Sequence, residues 1–313
     1  MASGAGTAPK VSVAIMTYNQ RDYLRECLES ILGQDYPNLE IVIGDDGSTD
    51  GTHELARDYA ERHPGRFVLR LSPVNKGITA TANAAHFGCT GDYIAWMGGD
   101  DMMLPGKLRR QVEVMEANPD CALCYHDLDA FLSSTGETLY LFSQRSRPRQ
   151  GDVRAAIRYG TFNGGCATMV RRSATPERGH DPRIERASDW LYWIETVSRG
   201  GRIIYIDEIL GRYRRHDRNI TSSSEFLRSL IEDHLLTCIM LLKTMPGYAP
   251  EIFYSMARNL VALAKRTPGR GRGPMFVLAA AVFAAFLLTL PLAASSRFLS
   301  KPRTPAGAIR PGS

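Results

Sequence analysis

Residues 91–108 read Gly-Asp-Tyr-Ile-Ala-Trp-Met-Gly-Gly-Asp-Asp-Met-Met-Leu-Pro-Gly-Lys-Leu, and the rest of the chain is organised around them. The apolar residues 93–97 predict a short buried strand. Two adjacent carboxylates, Asp100 and Asp101, follow at the carboxyl end of that strand, which is where open α/β sheets bind ligands. Because two buried like charges repel each other, the pair indicates either a solvated acidic turn or a site for Mg²⁺ or Mn²⁺.

The charge of the chain is unevenly distributed. The 313 residues are 44% apolar and carry a net charge of +5. Residues 252–313 contain nine Lys and Arg and no Asp or Glu, so residues 1–251 carry about −4. A slightly acidic globular part argues against a nucleic-acid-binding surface, and nucleic acid is not expected as a partner.

The cysteines and the first residues bear on the cellular compartment. Cys121 and Cys124 form one Cys-x-x-Cys pair without a second such pair, which favours two core cysteines in a reducing compartment over a zinc or redox site. Residues 1–9 form a flexible N-terminus that lacks the apolar core of a signal peptide. We therefore expect no export by that route.

Strands and helices alternate in the first hundred residues. The patterns predict strands at 11–16, 39–43, 67–71 and 93–97, separated by helices at 23–32, 50–63 and 79–87. This order predicts an α/β fold with a mostly parallel sheet and helices on both faces. Polar turns follow three of the strands, at 17–19, 45–48 and 98–101. Because the ends of parallel strands share one edge of a sheet, the three turns together predict a ligand site.

Three common enzyme motifs are absent from the sequence. No Gly-x-Gly-x-x-Gly follows the first strand, and the chain has neither Gly-x-x-x-x-Gly-Lys-Ser/Thr nor Gly-x-Ser-x-Gly. A nicotinamide dehydrogenase, a P-loop enzyme and a serine-elbow hydrolase are therefore not expected. A nucleotide would have to be bound by carboxylates that take its base and ribose and by a metal that takes its phosphates.

Four motifs, in this order, resemble glycosyltransferase family 2. They are Val-Ala-Ile-Met-Thr-Tyr-Asn at 13–19, Ile-Val-Ile-Gly-Asp-Asp-Gly-Ser-Thr-Asp-Gly-Thr at 41–52, Asn-Lys-Gly-Ile-Thr at 75–79, and the stretch at 91–105. The resemblance is dense over residues 10–118 and looser to about residue 220. It implies a GT-A fold, a Rossmann-like mostly parallel sheet flanked by helices, over residues 10–220. It also implies sugar transfer with inversion from a nucleotide-diphosphate sugar.

The resemblance implies donor-binding roles for residues on the strand-end turns. They are Thr17, Tyr18 and Asn19 at the base, Asp46 at the base with Asp45 supporting its loop, Lys76 and Gly77 at the nucleotide, and Asp100 at the ribose. Asp101 would bind the Mn²⁺ or Mg²⁺ that bridges the diphosphate. Gly98 stands where many members of the family have the first acidic residue of the motif, which leaves the number of protein ligands open.

One acidic residue in the second half is the candidate general base. Asp189 lies at the start of a predicted amphipathic helix. In the family, an acidic residue just before this helix takes the proton of the acceptor hydroxyl, as inverting transfer requires. An ordinary helix N-cap at Ser188 or Asp189 is the alternative interpretation, and Glu185 is the second candidate for the base.

The run Tyr213-Arg214-Arg215-His216 resembles the loop that closes over the diphosphate in the family. Arg214 and Arg215 suit the geometry of phosphate. His216 is a candidate for an added contact to the metal or the phosphate. A basic surface turn is the alternative interpretation.

The C-terminal part predicts helices and a membrane contact. Residues 221–270 predict a helical extension, 274–296 form 23 residues without a charge, and 297–313 are a basic tail. The uncharged segment matches the roughly 20 residues of a bilayer span, and basic residues at both ends leave a transmembrane and a re-entrant helix open. A buried partner-binding helix is the third possibility. Contact with membrane lipid predicts a location at the cytoplasmic face of the cell membrane.

These observations together predict an inverting glycosyltransferase with a nucleotide-diphosphate sugar as donor, expected to be UDP-linked. The expected acceptor is a glycan or a lipid-linked molecule in the synthesis of cell-surface polysaccharide or glycoconjugate. A polyprenyl-phosphate glycosyltransferase is the nearest alternative. The alternative from another class is a non-catalytic, membrane-tethered protein that binds nucleotide sugars.

Overall fold

The computed structural model describes residues 8–160, 163–217, 219, 223–267 and 271–299, the side chains of 289–299 excepted. The chain divides into two compact units, Met1–Thr237 and Cys238–Ser313. The first unit contains every strand found among the described residues, so the sequence motifs at the strand ends all belong to it.

The strands follow the predicted positions closely in the first hundred residues. They are β1 (Val11–Thr17), β2 (Leu39–Asp45), β3 (Phe67–Leu71), β4 (Tyr93–Gly98), β5 (Met102–Met103), β6 (Cys121–Leu132), β7 (Thr138–Leu141), β8 (Thr168–Arg171) and β9 (Arg202–Arg215). β1, β2 and β4 are buried along almost their whole length. Such strands are apolar on both faces, which is why they read as continuous apolar runs in the sequence.

The strands form one mixed sheet in the order β3-β2-β1-β4-β8-β6-β9-β5, with β7 paired to β6. The pairs β1–β2, β1–β4 and β2–β3 are parallel, which confirms the prediction for the first half. The second half of the sheet is mixed, so the prediction of a mostly parallel sheet holds there only for the long pair β6–β9, which is parallel. β8 enters between β4 and β6 and runs antiparallel to both, and β5 and β7 also pair antiparallel.

The register brings the predicted strand ends to one edge of the sheet. Thr17 at the end of β1 pairs with Asp45 at the end of β2. Met16 pairs with Gly98 at the end of β4. The three polar turns therefore start at the same level, as the parallel order predicts.

Most of the helices lie between strands along the chain, and the last three follow the final strand. The helices are α1 (Arg21–Leu32), α2 (Thr52–Arg62), α3 (Ile78–His86), α4 (Lys107–Ala117), α5 (Phe142–Arg145), α6 (Val153–Tyr159), α7 (Ser188–Val197), α8 (Ser224–Thr244), α9 (Ala249–Arg266) and α10 (Arg272–Leu299), with 3₁₀ turns at Gly165–Ala167, Arg172–Ala174 and Pro246–Tyr248. α1 buries Leu24, Cys27, Leu28 and Ile31, one face at helical spacing. α3 packs on β1 and β2, and α4 and α7 pack on β6.

The six cysteines are free and buried, which confirms the interpretation of Cys121 and Cys124 as core residues. Burial raises the pKa of the Cys121 thiol to about 12 and raises that of Cys124 well above its ordinary value. Both thiols are therefore protonated, and neither has the character of a metal ligand or a redox nucleophile.

The second unit contains the end of α8 together with α9 and α10. α9 and α10 pack along each other, with the rings of Tyr254 and Phe286 5.5 Å apart. α10 covers the segment 274–296 for which a membrane helix is predicted. Within the part of the chain that the structure describes, no helix combines the length and the apolar character needed to cross a membrane, so the predicted membrane segment is not supported.

The close approach of α3 to β2 generates a stability prediction. A Cβ on the buried Gly44 would lie 2.8 Å from the carbonyl oxygen of Thr81 and 3.3 Å from the Cβ of Ala85. Because both neighbours belong to a packed helix, Gly44→Ala is expected to lower the free energy of unfolding by about 1–3 kcal/mol. Gly165→Ala, where no atom lies within 4 Å of the added Cβ, is the control and is expected to stay within about 0.5 kcal/mol of the wild type. Urea unfolding measures both, and equal losses would contradict the prediction.

Candidate active site

The loop after β2 is built on Asp45. This carboxylate is 1% exposed, and its oxygens accept hydrogen bonds from the backbone N–H groups of Gly47 and Ser48 and from the Ser48 hydroxyl, while His53 also contacts it. A carboxylate with this many donors is a structural anchor. The predicted supporting role of Asp45 agrees with these contacts.

Asn19 connects the turn after β1 to the same loop. Its backbone N–H donates to the Ser48 hydroxyl at 2.7 Å, and its side-chain oxygen accepts the N–H of Thr49 at 2.8 Å. Asn19 has φ 52, a left-handed conformation that Asn tolerates better than most residues. Tyr18 beside it leaves 47% of its surface exposed, so a flat aromatic face stands open at this edge.

Asp46 connects the loop after β2 to the loop before α3. Its two carboxylate oxygens accept the backbone N–H groups of Lys76 at 2.7 Å and Gly77 at 3.1 Å, and its own N–H donates to the carbonyl oxygen of Thr17. Asp46 is buried, whereas the Lys76 side chain is exposed. The structure therefore brings Thr17, Asp46, Lys76 and Gly77 together through backbone hydrogen bonds.

A second hydrogen-bond link joins α3 to the start of α7. The Thr79 hydroxyl lies 2.6 Å from the carbonyl oxygen of Ile184, 3.0 Å from that of Glu185 and 2.9 Å from the Ser188 hydroxyl. Ser188 is buried and is the first residue of α7. The segment with the candidate base is thereby fastened to the helix that begins at the Gly77 loop.

Asp189 is the second residue of α7 and is partly buried. One of its oxygens accepts the N–H of Trp190 at 2.8 Å. Burial raises the pKa of Asp189 to about 6, and the hydrogen bond to Trp190 lowers it by less. A carboxyl group with a pKa near neutrality can accept a proton at physiological pH, as a general base must. Glu185, the second candidate for the base, is exposed.

The acidic pair at the end of β4 is drawn together over Gly98. Asp101 is 4% exposed, and Asp100 is partly buried. A Cβ placed on Gly98 would lie 2.8 Å from Oδ1 of Asp100 and 3.0 Å from Oδ2 of Asp101. The absence of a side chain at Gly98 therefore lets the two carboxylate oxygens converge. Burial, followed by the negative charge of Asp100, raises the pKa of Asp101 well above its ordinary value.

A buried lysine and a buried cysteine lie beneath Asp101. Lys107, the first residue of α4, is 0% exposed, and its ammonium donates to the carbonyl oxygen of Cys166 at 2.6 Å. Its positive charge favours the ionised form of Asp101, and the Cys166 thiol also bonds to that carboxylate. Burial lowers the pKa of Lys107 to about 8. The lysine is thus an internal counter-charge for the acidic pair.

The end of β9 closes over the same pair. The N–H of Arg214 donates to Oδ1 of Asp101 at 3.0 Å, and its Nε donates to the carbonyl oxygen of Asp100 at 2.7 Å. Nε2 of His216 lies 3.0 Å from Oδ2 of Asp100, and Nδ2 of Asn219 donates to the same oxygen at 3.2 Å. Asp100 is therefore held by groups that follow β9.

The predicted loop at 213–216 is wrong in its local structure. Arg214 and Arg215 are the last residues of β9, where they pair with Phe131 and Leu132 of β6. Arg214 is 3% exposed, and its guanidinium donates to Glu26 at 2.6 Å. Long-range strand pairing overrides the appearance of a basic turn, because a buried guanidinium with an acidic partner fits inside a sheet.

A cavity of about 430 Å³ opens beside this strand end. Asn19, Arg215 and His216 contribute to its lining, together with residues of the first turn of α1 and Ser133 and Ser134. Arg215 forms part of the wall of this cavity. The predicted residues 17–19, 45–46 and 100–101 lie at or just after the ends of β1, β2 and β4, whereas Asp189 lies on α7.

The pair Asp100–Asp101 fits a hard divalent cation. The donor atoms are carboxylate oxygens, two of which converge over Gly98, and hard cations prefer oxygen ligands. Among the described residues, no group of three or more His, Cys, Asp or Glu side chains is arranged to hold a metal. The two carboxylates would supply part of a coordination shell, of the kind that Mg²⁺ and Mn²⁺ complete with phosphate and water.

Several residues of the site are not found from the sequence motifs. Lys107 has a signal, since it occupies the apolar face of α4 with Leu108, Gln111, Val112 and Met115. A lysine at such a position is almost always paired. Glu26 and Cys166 have no comparable signal, because their partners are more than 55 residues away in the sequence. Thr79 closes the motif at 75–79, but its contacts with the start of α7 have no local signal.

Fold and site together define an α/β protein with an acidic ligand-binding edge at the ends of its parallel strands. The sequence model described as "Glycosyl transferase family 2" matches residues 12–179, more than half of the chain. The chain therefore belongs to glycosyltransferase family 2.

Two curated relatives come from Bacillus subtilis (strain 168). One is "Putative glycosyltransferase EpsE", to which the chain is 43% identical over 110 aligned residues. The aligned region covers 35% of this chain and only 40% of EpsE. The other is "Putative teichuronic acid biosynthesis glycosyltransferase TuaG", to which the chain is 29% identical over 215 aligned residues. This aligned region covers 69% of this chain and 82% of TuaG.

Two solved structures share the fold. TarS 1–349 of S. aureus, in complex with UDP-GlcNAc, has a TM-score of 0.63 at 17% identity and covers 94% of this chain and 93% of its own. The mannosyltransferase PcManGT from Pyrobaculum calidifontis, in complex with GDP-Man and Mn²⁺, has a TM-score of 0.57 at 21% identity and covers 94% and 88%. These likenesses establish a GT-A-like α/β fold with a mixed sheet.

The Asp46 link generates a prediction about local stability. Asp46→Ala removes the acceptor of the Lys76 N–H, which costs about 1–3 kcal/mol, whereas the Gly77 N–H keeps Oδ1 of Asn75 at 3.2 Å as a second acceptor. Amide hydrogen exchange at Lys76 is therefore expected to accelerate by about 10-fold or more, and that at Gly77 by less. Asp58→Ala, which removes an exposed carboxylate paired only with Arg62, is the control. Unchanged exchange in Asp46→Ala would contradict the prediction.

Proposed function

We propose that this protein transfers a sugar, with inversion, from a nucleotide-diphosphate donor to a glycan or lipid-linked acceptor. The observation that carries the proposal is the convergence of the Asp100 and Asp101 carboxylates over Gly98, at the edge where the ends of β1 and β2 also lie. Membership of glycosyltransferase family 2 supports the same reaction class.

The donor's nucleoside is proposed to bind along the ends of β1 and β2. The exposed ring of Tyr18 offers a face for the base, next to Thr17. Asp46 would shape the binding surface for the nucleoside by holding the Lys76–Gly77 backbone beside the end of β2. Asp100 would take the ribose, in exchange for its contacts with His216 and Asn219. A UDP-linked sugar is our proposal for the donor, and TarS, bound to UDP-GlcNAc, supports it.

Asp101 is proposed as the main protein ligand of Mn²⁺ or Mg²⁺, with His216 as the second candidate. A divalent cation held there supplies positive charge against the diphosphate. Lys107 and the N–H of Arg214 favour the ionised form of Asp101, whereas burial and the charge of Asp100 raise its pKa by more, so a bound cation would replace a proton at this carboxylate. PcManGT, bound to GDP-Man and Mn²⁺, supports the choice of metal.

Asp189 is proposed as the general base. Its carboxylate takes the proton of the acceptor hydroxyl while the hydroxyl oxygen bonds to the anomeric carbon. The bond from that carbon to the diphosphate oxygen breaks on the opposite face, and the nucleoside diphosphate leaves with the electron pair. The near-neutral pKa of Asp189 and its attachment to Thr79 through Ser188 support this role.

The acceptor is proposed to belong to the synthesis of a cell-surface polysaccharide or glycoconjugate. The support is the likeness to TuaG, whose name assigns it to teichuronic acid biosynthesis. Since the chain spans only part of EpsE, the acceptor is inferred from the class of the relatives. We also propose that the protein is located at the cytoplasmic face of the cell membrane.

The first test measures release of nucleoside diphosphate from a panel of UDP-, GDP- and dTDP-sugars, with Mn²⁺ or with chelator. We expect release from one donor, dependent on the metal, and a loss of about 10²-fold or more in Asp101→Asn, since that substitution removes a charged ligand. Asp35→Asn, which changes an exposed carboxylate paired with Arg109, is the matched control. Absence of both binding and release for every donor would overturn the proposal.

The second test addresses the base through pH. Asp189→Asn is expected to lower kcat for transfer by about 10²–10⁴-fold while the donor dissociation constant stays within about two-fold. Because only the carboxylate form accepts a proton, the wild-type rate should fall as the pH drops through about 6. Glu185→Gln, on the exposed neighbour, should keep the wild-type rate and pH profile. Retention of transfer by Asp189→Asn would remove Asp189 from the role of base.

A further inference from the structure

A residue from another helix holds the backbone just before Asp189. The residue at the N-cap position of α7 is Ala187, whose side chain accepts no hydrogen bond. One carboxylate oxygen of Asp233, on α8, accepts the backbone N–H of Arg186 at 2.8 Å and that of Ala187 at 3.0 Å. Because buried peptide groups need partners, α8 supplies the acceptor that the local sequence lacks.

Two further contacts tie α8 to the same segment. The guanidinium of Arg186 donates to the Ser229 hydroxyl. On the other side of Asp189, the ring of Trp190 lies 4.8 Å from that of His234. α8 therefore touches the residues that flank Asp189 on both sides. α8, which belongs to the predicted helical extension 221–270, therefore contacts the segment that carries the candidate base.

The opposite side of the segment is held by Thr79. The Thr79 hydroxyl contacts the carbonyl oxygens of Ile184 and Glu185, whereas Asp233 takes N–H groups. Two helices therefore hydrogen-bond to the backbone before α7: α3 through the carbonyl oxygens of that backbone, and α8 through its N–H groups. Each grip acts on main-chain atoms, so both constrain the direction in which the chain enters the helix.

We propose that Asp233 is a positioning residue for sugar transfer, which acts by fixing the backbone that carries Asp189. The inference rests on the proposed function, in which Asp189 is the base. A base has to stand within hydrogen-bond reach of the acceptor hydroxyl, and a displacement of about 1 Å can lower a rate by about 10²-fold. The donor-binding turns at β1, β2 and β4 have no contact with Asp233 among the hydrogen bonds of the described residues.

The test compares Asp233→Ala and Asp233→Asn with wild type in the full chain, using the donor found in the panel. For Asp233→Ala we expect kcat for transfer to fall by about 10²-fold, with the donor dissociation constant unchanged within about two-fold. The Asn side chain keeps an oxygen acceptor but loses the charge that strengthens it. Asp233→Asn should therefore recover most of the lost kcat.

Glu232→Ala is the matched control. Glu232 is the preceding residue on α8, is exposed, and pairs with Arg228 at 3.0 Å. It should leave both kcat and donor affinity at their wild-type values. Hydrogen exchange at Arg186 and Ala187 should accelerate in Asp233→Ala and not in Glu232→Ala, which shows whether the grip is lost.

The outcomes separate this inference from the proposed function. A folded Asp233→Ala with faster exchange at Arg186 and wild-type kcat would overturn the inference and leave the function intact. If Asp233→Ala does not fold, Asp233→Asn decides, and faster exchange at Arg186 and Ala187 together with a wild-type kcat would overturn the inference. A wild-type chain that neither binds nor cleaves any donor would overturn the function, and with it any catalytic role for Asp233.

Discussion

The burial of two neighbouring carboxylates at the end of β4 is the constraint on which the site depends. Asp101 is almost fully enclosed beside Asp100, and such a pair is unstable without positive partners. The surrounding residues provide positive charge and several hydrogen-bond donors. Lys107 lies below, the N–H of Arg214 lies beside Asp101, and Asn219 reaches Asp100. β9 and α4 are therefore needed at this edge for electrostatic reasons as well as for packing.

The acidic residues at this edge of the sheet have different roles, depending on the hydrogen-bond donors around them. Asp45 and Asp46 follow β2 as Asp100 and Asp101 follow β4, yet the first pair is occupied by backbone N–H and hydroxyl donors. Those carboxylates shape loops. The second pair keeps oxygens that converge over Gly98. The difference lies in the number of donors each pair meets, which composition and spacing do not show.

The first half of the fold could be predicted from sequence because its signals are local. β1 to β4 and the helices between them follow from apolar periodicity, and their parallel order fixes which turns meet. β8 and β9 depend on pairing partners far away in the chain, so the antiparallel insertion of β8 and the strand character of Arg214 could not be read from their own residues. In the site, the sequence motifs identify the candidate residues, whereas partners such as Lys107 and Glu26 are known only from tertiary contacts.

The location of Asp189 connects these points. A carboxyl with a near-neutral pKa needs partial burial and few donors, which is the opposite of the treatment given to Asp45. Its segment gains order from elsewhere, through Thr79 on one side and Asp233 on the other. Because the segment is held through its main chain, the carboxylate of Asp189 accepts hydrogen bonds from the backbone N–H groups of Trp190 and of Asp189 itself, and its pKa stays raised. A base that must be both precisely placed and easily protonated is best positioned through its main chain, since every hydrogen bond to its carboxylate would lower the pKa.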